Sequence, residues 1–274
     1  MNVYTLNIGQ GQFVVVAGKN ETFIIDTYVP LDPKHEIVHV KAALAKILAG
    51  KELVGLIVTG FDSDHFNEVG MKIVLNKYRP KWIMYPKYFK QTKTADACFA
   101  AIATFENASS KFARHSVSLQ KNDHRFYGTI SSEFTFEVFS PHVDDMNSSN
   151  NCSLVCKIVE KATGASYLVT GDAECQRWDS MVKHFGSALQ SQVLAAPHHG
   201  SRHGVTESAI KLIKPHTVIV SAGVSNEYEH PHAEATKLFN THADKWYQTN
   251  YGSGQSLRTE ISPAGVNTYK FTPD

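Results

Sequence analysis

Three short apolar runs in this chain end abruptly in aspartate or histidine, and that pattern limits the folds open to it. "LVGLIV" at 53–58 leads into Asp62, Asp64 and His65, "YLVT" at 167–170 into Gly171 and Asp172, and "QVLAAP" at 192–197 into His198 and His199. Runs of this length, bounded by Gly, Pro and polar residues, are buried strands rather than core helices. Strands buried on both faces belong inside a layered structure, while their polar ends need water or a ligand. The Asp and His loops should therefore gather at one sheet edge.

The rest of the chain fits such layers. "VYTLNI", "QFVVVA" and "TFIID" are separated by Gly9, Gly11 and Gly18 and read as an antiparallel meander. Ile37, Val40, Leu44, Ile47 and Leu48 recur at helical steps before a stop at Gly50. Further helices are expected over 67–78, 94–108, 174–190, 205–213 and 232–243. "KWIMYP", "EFTFEVFSP", "TVIVSA", "KWYQT", "GQSLRTEI" and "GVNTYKF" read as strands, and "SLVCKIVE" pairs with "SYLVTGD" as a hairpin. Two strand-rich halves mixed with helices bury best as two sheets face to face with helices outside. That is an α/β (α+β) chain in an αββα sandwich, one domain over residues 1–274.

Composition narrows the functional classes. The chain is 42% hydrophobic and 19% charged, as a globular core requires, and 27 Lys plus Arg nearly balance 26 Asp plus Glu. That balance speaks against a broad electrostatic grip on nucleic acid and leaves room for a small basic groove. "MNVYTLNIGQGQ" has no charged segment followed by an apolar one, and no run approaches the roughly 20 apolar residues of a membrane span. A cytoplasmic protein without membrane partners is expected. The four cysteines read as reduced core thiols, with Cys152 and Cys156 on one strand face.

Each polar loop has a plain reading beside a chemical one. Asp62, Asp64 and His65 could hold a cation from one short loop, or merely start a helix. Asp172 after Gly171 could bridge two cations, or sit in a turn. His198 and His199, leaving a buried strand at Pro197, are more pointed, because their side chains diverge to different neighbours. Ser201 and Arg202 follow directly and could hold a phosphate, Arg202 through its bidentate fork, or be solvated loop residues. His230 and His232 form a second histidine pair in "EHPHAE". "WIMYPKYFKQTK" interleaves Lys87, Lys90 and Lys93 with Tyr85, Tyr88 and Phe89, a pattern that stacks bases and holds phosphates when it is not simply a strand end and a solvated helix.

"LNIGQGQ", "FIIDT", "TGFDSDHFNEVG", "NNCSLV", "YLVTGDAE", "APHHGSRHG" and "SNEYEHPHAEATKLF" occur in an order that resembles the metallo-β-lactamase superfamily. More narrowly, the order resembles the β-lactamase-like domain of the ComEC competence proteins and their soluble relatives. The resemblance implies a four-layer αββα metallo-β-lactamase sandwich and a metal-dependent hydrolase, most readily a nuclease or phosphodiesterase acting on DNA, RNA or a nucleotide. It implies Asp62, Asp64, His65, Asp172, His198 and His199 as metal ligands for one or two divalent ions, Zn²⁺ or Mn²⁺, with Mg²⁺ a third candidate. Asp62 or Asp64 would orient the attacking water and take its proton. His230 would stabilise charge or protonate the leaving group, and Ser201, Arg202 and His232 would bind substrate.

The departures are specific. The superfamily motif HxHxDH becomes Gly60-Phe61-Asp62-Ser63-Asp64-His65, so its first histidine is missing. Two acidic positions of the family's opening motif are Asn7 and Gln12 here, and Asn150 or Asn151 stands where a further histidine is usual, with His142 nearby. One subsite keeps a nearly full ligand set while the other is weakened. A degenerate fold that binds a ligand or partner without turnover is the alternative, and hydrolysis of a non-phosphate ester, lactam or thioester is a third reading.

Overall fold

Alternation decides what each side of a strand faces. Residues 1–31, 35–87, 90–145 and 148–273 are described by a computed structural model. In β2 (Val14–Ala17), Val14 and Val16 enter one core while Val15 and Ala17 enter another. The preceding strand is β1 (Asn2–Thr5). In β3 (Glu21–Ile25) the split is Phe23 and Ile25 against Ile24. After α1 (His35–Ile47) comes β4 (Glu52–Ile57), where Ile57 and Leu56 part in the same way. Helix α2 (Glu68–Ile73), begun by the Asn67 side chain on the Gly70 N–H, runs through a wider turn to Tyr78. Then follow β5 (Trp82–Pro86), α3 (Lys93–Asn107) and β6 (Ala113–Val117).

The second half has β7 (Arg125–Tyr127), β8 (Phe134–Ser140), β9 (Val155–Glu160) and β10 (Ser166–Val169) before α4 (Cys175–Phe185). It continues with β11 (Val193–Ala195), α5 (Glu207–Ile213), β12 (Thr217–Val220) and α6 (Ala233–His242). It ends in β13 (Lys245–Gln248), β14 (Ser256–Ser262) and β15 (Gly265–Phe271). One sheet has the order β15-β14-β1-β2-β3-β4-β5-β6 and the other β13-β12-β11-β10-β9-β8-β7.

Three apolar clusters show the layering. One joins residues of both sheets and is the core between them; the second lies between the first sheet and α1–α3, and the third between the second sheet and α4–α6. Phe23 meets Phe134 and Phe136 across the sheets at ring-centre distances of 5.2 Å, and Trp82 meets Phe136 at the same distance. Edge-to-face pairs of this kind contribute about 0.5–1.5 kcal/mol each beyond the area they bury. This is the expected αββα sandwich. Among the described residues, no helix is long and apolar enough to cross a membrane.

Local differences have physical causes. The helix expected over 174–190 stops at Phe185, followed by a tight turn to Leu189. Strands β6 and β7 were not expected; both are edge strands whose residues are mostly polar or exposed, so neither carries an apolar pattern. Cys152 lies in the turn before β9 and so does not share a strand face with Cys156. Cys98, Cys152 and Cys156 are buried, as expected of core thiols, whereas Cys175 is half-buried at the start of α4. Tyr88 and Phe89 lie outside the described residues.

The parallel pairings place the site. β3, β4 and β5 run parallel in one sheet, and β10, β11 and β12 in the other. Their carboxyl ends open onto one edge of the sandwich, where the Leu154 N–H donates to the Thr59 carbonyl at 2.8 Å and ties the sheets together.

Candidate metal centre

Asp26, immediately after β3, is fully buried with a left-handed φ of 58°. Its carboxylate accepts the Thr59 N–H at 2.7 Å, the Thr59 hydroxyl at 2.6 Å and His65 Nδ1 at 2.9 Å. With Nδ1 so engaged, the His65 ring is fixed and Nε2 points inward, 2.9 Å from Asp172 Oδ2 and 4.0 Å from Asp64 Oδ1. His199 is held in the same way: Nδ1 donates to the Ser221 carbonyl at 2.7 Å, leaving Nε2 at 3.5 Å from Asp64 Oδ2 and 3.6 Å from Asp172 Oδ1. A carboxylate or carbonyl on the far nitrogen is how metal-binding histidines are oriented.

Two glycines are needed for this packing. A Cβ on Gly171, whose φ is 50°, would come within 2.9 Å of Ser153, the residue whose hydroxyl accepts the Asp172 N–H at 2.9 Å. A Cβ on Gly11 would stand 2.7 Å from the Asp64 carbonyl, and the next residue, Gln12, donates its N–H to that carbonyl at 2.9 Å. His198 and His199 both adopt left-handed conformations. Such backbone strain costs about 1–3 kcal/mol per residue and persists where the surroundings over-determine it. Here the His198 N–H on the Gly171 carbonyl, at 3.0 Å, ties the two loops.

Asp64, His65, Asp172 and His199 each offer a ligand atom, and these atoms all lie within 4.8 Å of one another. An ion bound tetrahedrally at about 2.1 Å separates its ligand atoms by about 3.4 Å, so no pair in the set has to close by more than about 1.4 Å to share one ion. His199 Nε2 and Asp172 Oδ1 are buried and make no hydrogen bond, while His65 Nε2 has Asp172 Oδ2 at 2.9 Å as its neighbour. Buried polar atoms are almost always satisfied, and a cation between them satisfies both and takes up the His65 nitrogen as well. The residues fit a divalent metal.

The electrostatics agree. Burial alone would lower the pKa of His65, but Asp172 and Asp26 outweigh it and raise it well above the usual value. Burial opposes ionisation of Asp172, yet His65 and His199 pull its pKa far down. Burial likewise opposes ionisation of Asp64, which His199 and His65 lower, and Asp172 and Asp64 raise His199 against its own burial. The carboxylates are charged, and the charge they select for in the middle is positive.

The other expected residues are distributed around this cluster. Asp62 is outside it, paired with Lys90 and Ser149. His198 also stays out, with Nδ1 3.4 Å from Glu174 Oε1, and Asn150 donates to the same carboxylate at 2.8 Å. His230 lines the same cavity of about 440 Å³ as Asp64 and Asp172. Burial, then His199, His198 and His232, push its pKa down to about 4. It is therefore neutral at pH 7 in this arrangement, a state that suits hydrogen bonding.

Ser201, Arg202 and His232 do not line that cavity. Ser201 is buried, Arg202 pairs with Glu234 at 3.6 Å, and His232 accepts the Arg202 N–H at 3.1 Å. His142 is buried and 3.3 Å from the Asp123 carbonyl, apart from the cluster. Asp26, Ser221 and Gln10, whose Nε2 is 3.4 Å from His230 Nδ1, were not singled out beforehand. The one available signal was the aspartate closing "TFIID", a third apolar run ending in a carboxylate.

Fold and cluster together define the class: this is a metallo-β-lactamase-fold chain. Its fold is similar to that of the metallo-β-lactamase fold protein YhfI from Bacillus subtilis, with a TM-score of 0.50, 11% identity, and coverage of 94% of this chain and 100% of that one. A diphosphatase from the PhnP family gives a TM-score of 0.50, 11% identity, and 95% and 98% coverage, and unliganded yeast PDE1 gives 0.52, 9%, and 90% and 97%. In sequence the chain is similar to competence proteins. It is 29% identical to ComE operon protein 3 of Bacillus subtilis over 258 residues, 89% of this chain and 31% of that protein. It is 30% identical to competence protein ComA of Neisseria gonorrhoeae over 139 residues, 50% of this chain and 20% of that one. The chain thus spans a third or less of the length of these relatives. No family model matches it.

Proposed function

We propose that the chain is a metal-dependent hydrolase of phosphodiesters, acting on DNA, RNA or a nucleotide, with residues 1–274 as a single domain. The observation that carries this reading is the cluster of Asp64, His65, Asp172 and His199, whose ligand atoms lie within 4.8 Å of one another with His199 Nε2 and Asp172 Oδ1 buried and unsatisfied. When bound there, a divalent ion supplies a water of lowered pKa and a Lewis acid for the scissile group.

The chain's own residues do the rest. Asp64 is the most exposed of the four, at 29%, and its second oxygen can accept a proton from the attacking water. Neutral His230, bordered by Gln10, offers a hydrogen bond to charge developing on the substrate. The two imidazoles favour Zn²⁺ and the two carboxylates favour Mn²⁺ or Mg²⁺. Support for the phosphodiester class comes from similarity to competence proteins, from the diphosphatase and PDE1 among the fold neighbours, and from a lysine on the cavity wall.

The alternative, a non-catalytic binding protein, takes its support from Gly60. Against it stand the buried ligands, which have no structural use unpaired. The test is cleavage of bis(p-nitrophenyl) phosphate, single-stranded DNA and RNA by metal-loaded protein and by Asp172→Asn and His199→Ala. Cleavage lost in both variants supports the hydrolase. Stoichiometric metal without cleavage of any of the three substrates supports the binding protein.

A further inference from the structure

Asp62 has the position of a metal ligand and does not act as one. Lys90 is ion-paired to Oδ1 and the Ser149 hydroxyl donates to Oδ2, so both carboxylate oxygens are engaged away from the His/Asp cluster. The residue that would have helped Asp62 hold an ion is Gly60. Nothing steric requires glycine there: an added Cβ would approach no atom closer than 3.8 Å, and the backbone is not left-handed. Packing around a Cβ therefore does not require glycine at position 60. Lys90, Asp62 and Asp172 line the same cavity, and the Lys90 side chain is 39% exposed.

We propose that Lys90 supplies the second positive charge of the site: the chain binds a single metal ion, and the Lys90 ammonium, anchored on Asp62, takes the place of a second ion in holding an anionic oxygen of the substrate. This deepens the hydrolase reading and rests on it. An ammonium is a compact point charge with three donors, and on the wall of this cavity its charge suits a phosphoryl oxygen. Its charge also repels a second cation from the weakened subsite. Anchoring matters because an unrestrained lysine loses side-chain entropy each time it grips substrate. Asp62 and Ser149 hold the charge in place beforehand.

The experiment uses the full chain, stripped with chelator, with Mn²⁺ and inorganic phosphate as probes. Calorimetric titration should give one Mn²⁺ per chain in the wild type and in Gly60→His, where Lys90 still occupies Asp62. It should give two in Gly60→His/Lys90→Ala. Phosphate binding to the Mn²⁺-loaded protein should weaken about 10- to 100-fold in Lys90→Ala, as expected for loss of a charged hydrogen-bond donor, and recover most of its strength in Lys90→Arg. The phosphate comparison stands even if the position-60 variants fail to fold. Two ions in the wild type, one in the folded double variant, or unchanged phosphate affinity in Lys90→Ala overturns the proposal while leaving the hydrolase intact. No ion in the wild type removes the metal site itself, and this inference with it.

Discussion

Asp26 touches no candidate ligand atom of the cluster, yet the structure makes the cluster depend on it. Its carboxylate accepts from the Thr59 N–H, the Thr59 hydroxyl and His65 Nδ1, at 2.7, 2.6 and 2.9 Å. Asp26→Asn keeps the shape and exchanges one acceptor oxygen for an NH₂ group, which then faces a donor. The lost charge-assisted hydrogen bond is worth about 1.5–3 kcal/mol. In the apo protein that appears as lost stability, a fall in Tm of about 3 to 10 °C for a chain of this size. Metal binding weakens as a separate effect, because the His65 ring and its tautomer are no longer fixed: a rise of about 10- to 100-fold in Kd, or about 1.4–2.8 kcal/mol. The assay is calorimetric titration of chelator-stripped protein with Mn²⁺, alongside thermal melts of the apo forms. A Kd within twofold of wild type in a folded Asp26→Asn protein would refute the argument that this carboxylate orients His65 for a metal.

Two further outcomes follow from the same geometry. Gly171→Ala should destabilise the protein by about 1–3 kcal/mol, since alanine is strained at a φ of 50° and its Cβ meets Ser153 at 2.9 Å; urea unfolding reads this, and metal affinity should fall with it as Asp172 shifts. Free metal at about 100 times its Kd should stabilise the native state by about 2.7 kcal/mol, a rise in Tm of about 5–10 °C that EDTA reverses and that Asp172→Asn lacks.

Glu21 gives a pH signature. Burial would raise its pKa, but hydrogen bonds from Ser131, Ser132 and Glu133 lower it. A depressed carboxylate pKa contributes stability above the unfolded value of about 4.3 and loses it as pH falls through the folded value. Glu21→Gln should therefore cost under about 1 kcal/mol at pH 7, screened by solvent, and the difference should shrink below about pH 4 in denaturant titrations at several pH values.

What could be read from sequence divides by range. β4, β10 and β11 were legible because each is a contiguous apolar run bounded by turn residues, and Asp64, His65, Asp172 and His199 follow them directly. β6 and β7 were not, because edge strands are not buried on both faces and need no apolar pattern. Which of His198 and His199 faces the cluster depends on two left-handed residues and on the Ser221 carbonyl, contributed by the loop after β12. Lys90 and Asp62 lie 28 positions apart, and only the fold brings them together. Arg202 looked like a phosphate ligand by its place after the histidines, but its side chain turns to Glu234 on α6.

The central claim is that four side chains hold a metal ion, and an anomalous difference map of a Mn²⁺-soaked crystal tests it most directly. The account predicts one peak per chain within about 2.3 Å of Nε2 of both His65 and His199 and of a carboxylate oxygen of both Asp64 and Asp172. A map with no peak there, or with its strongest peak beside Asp62 and away from His199, would contradict it.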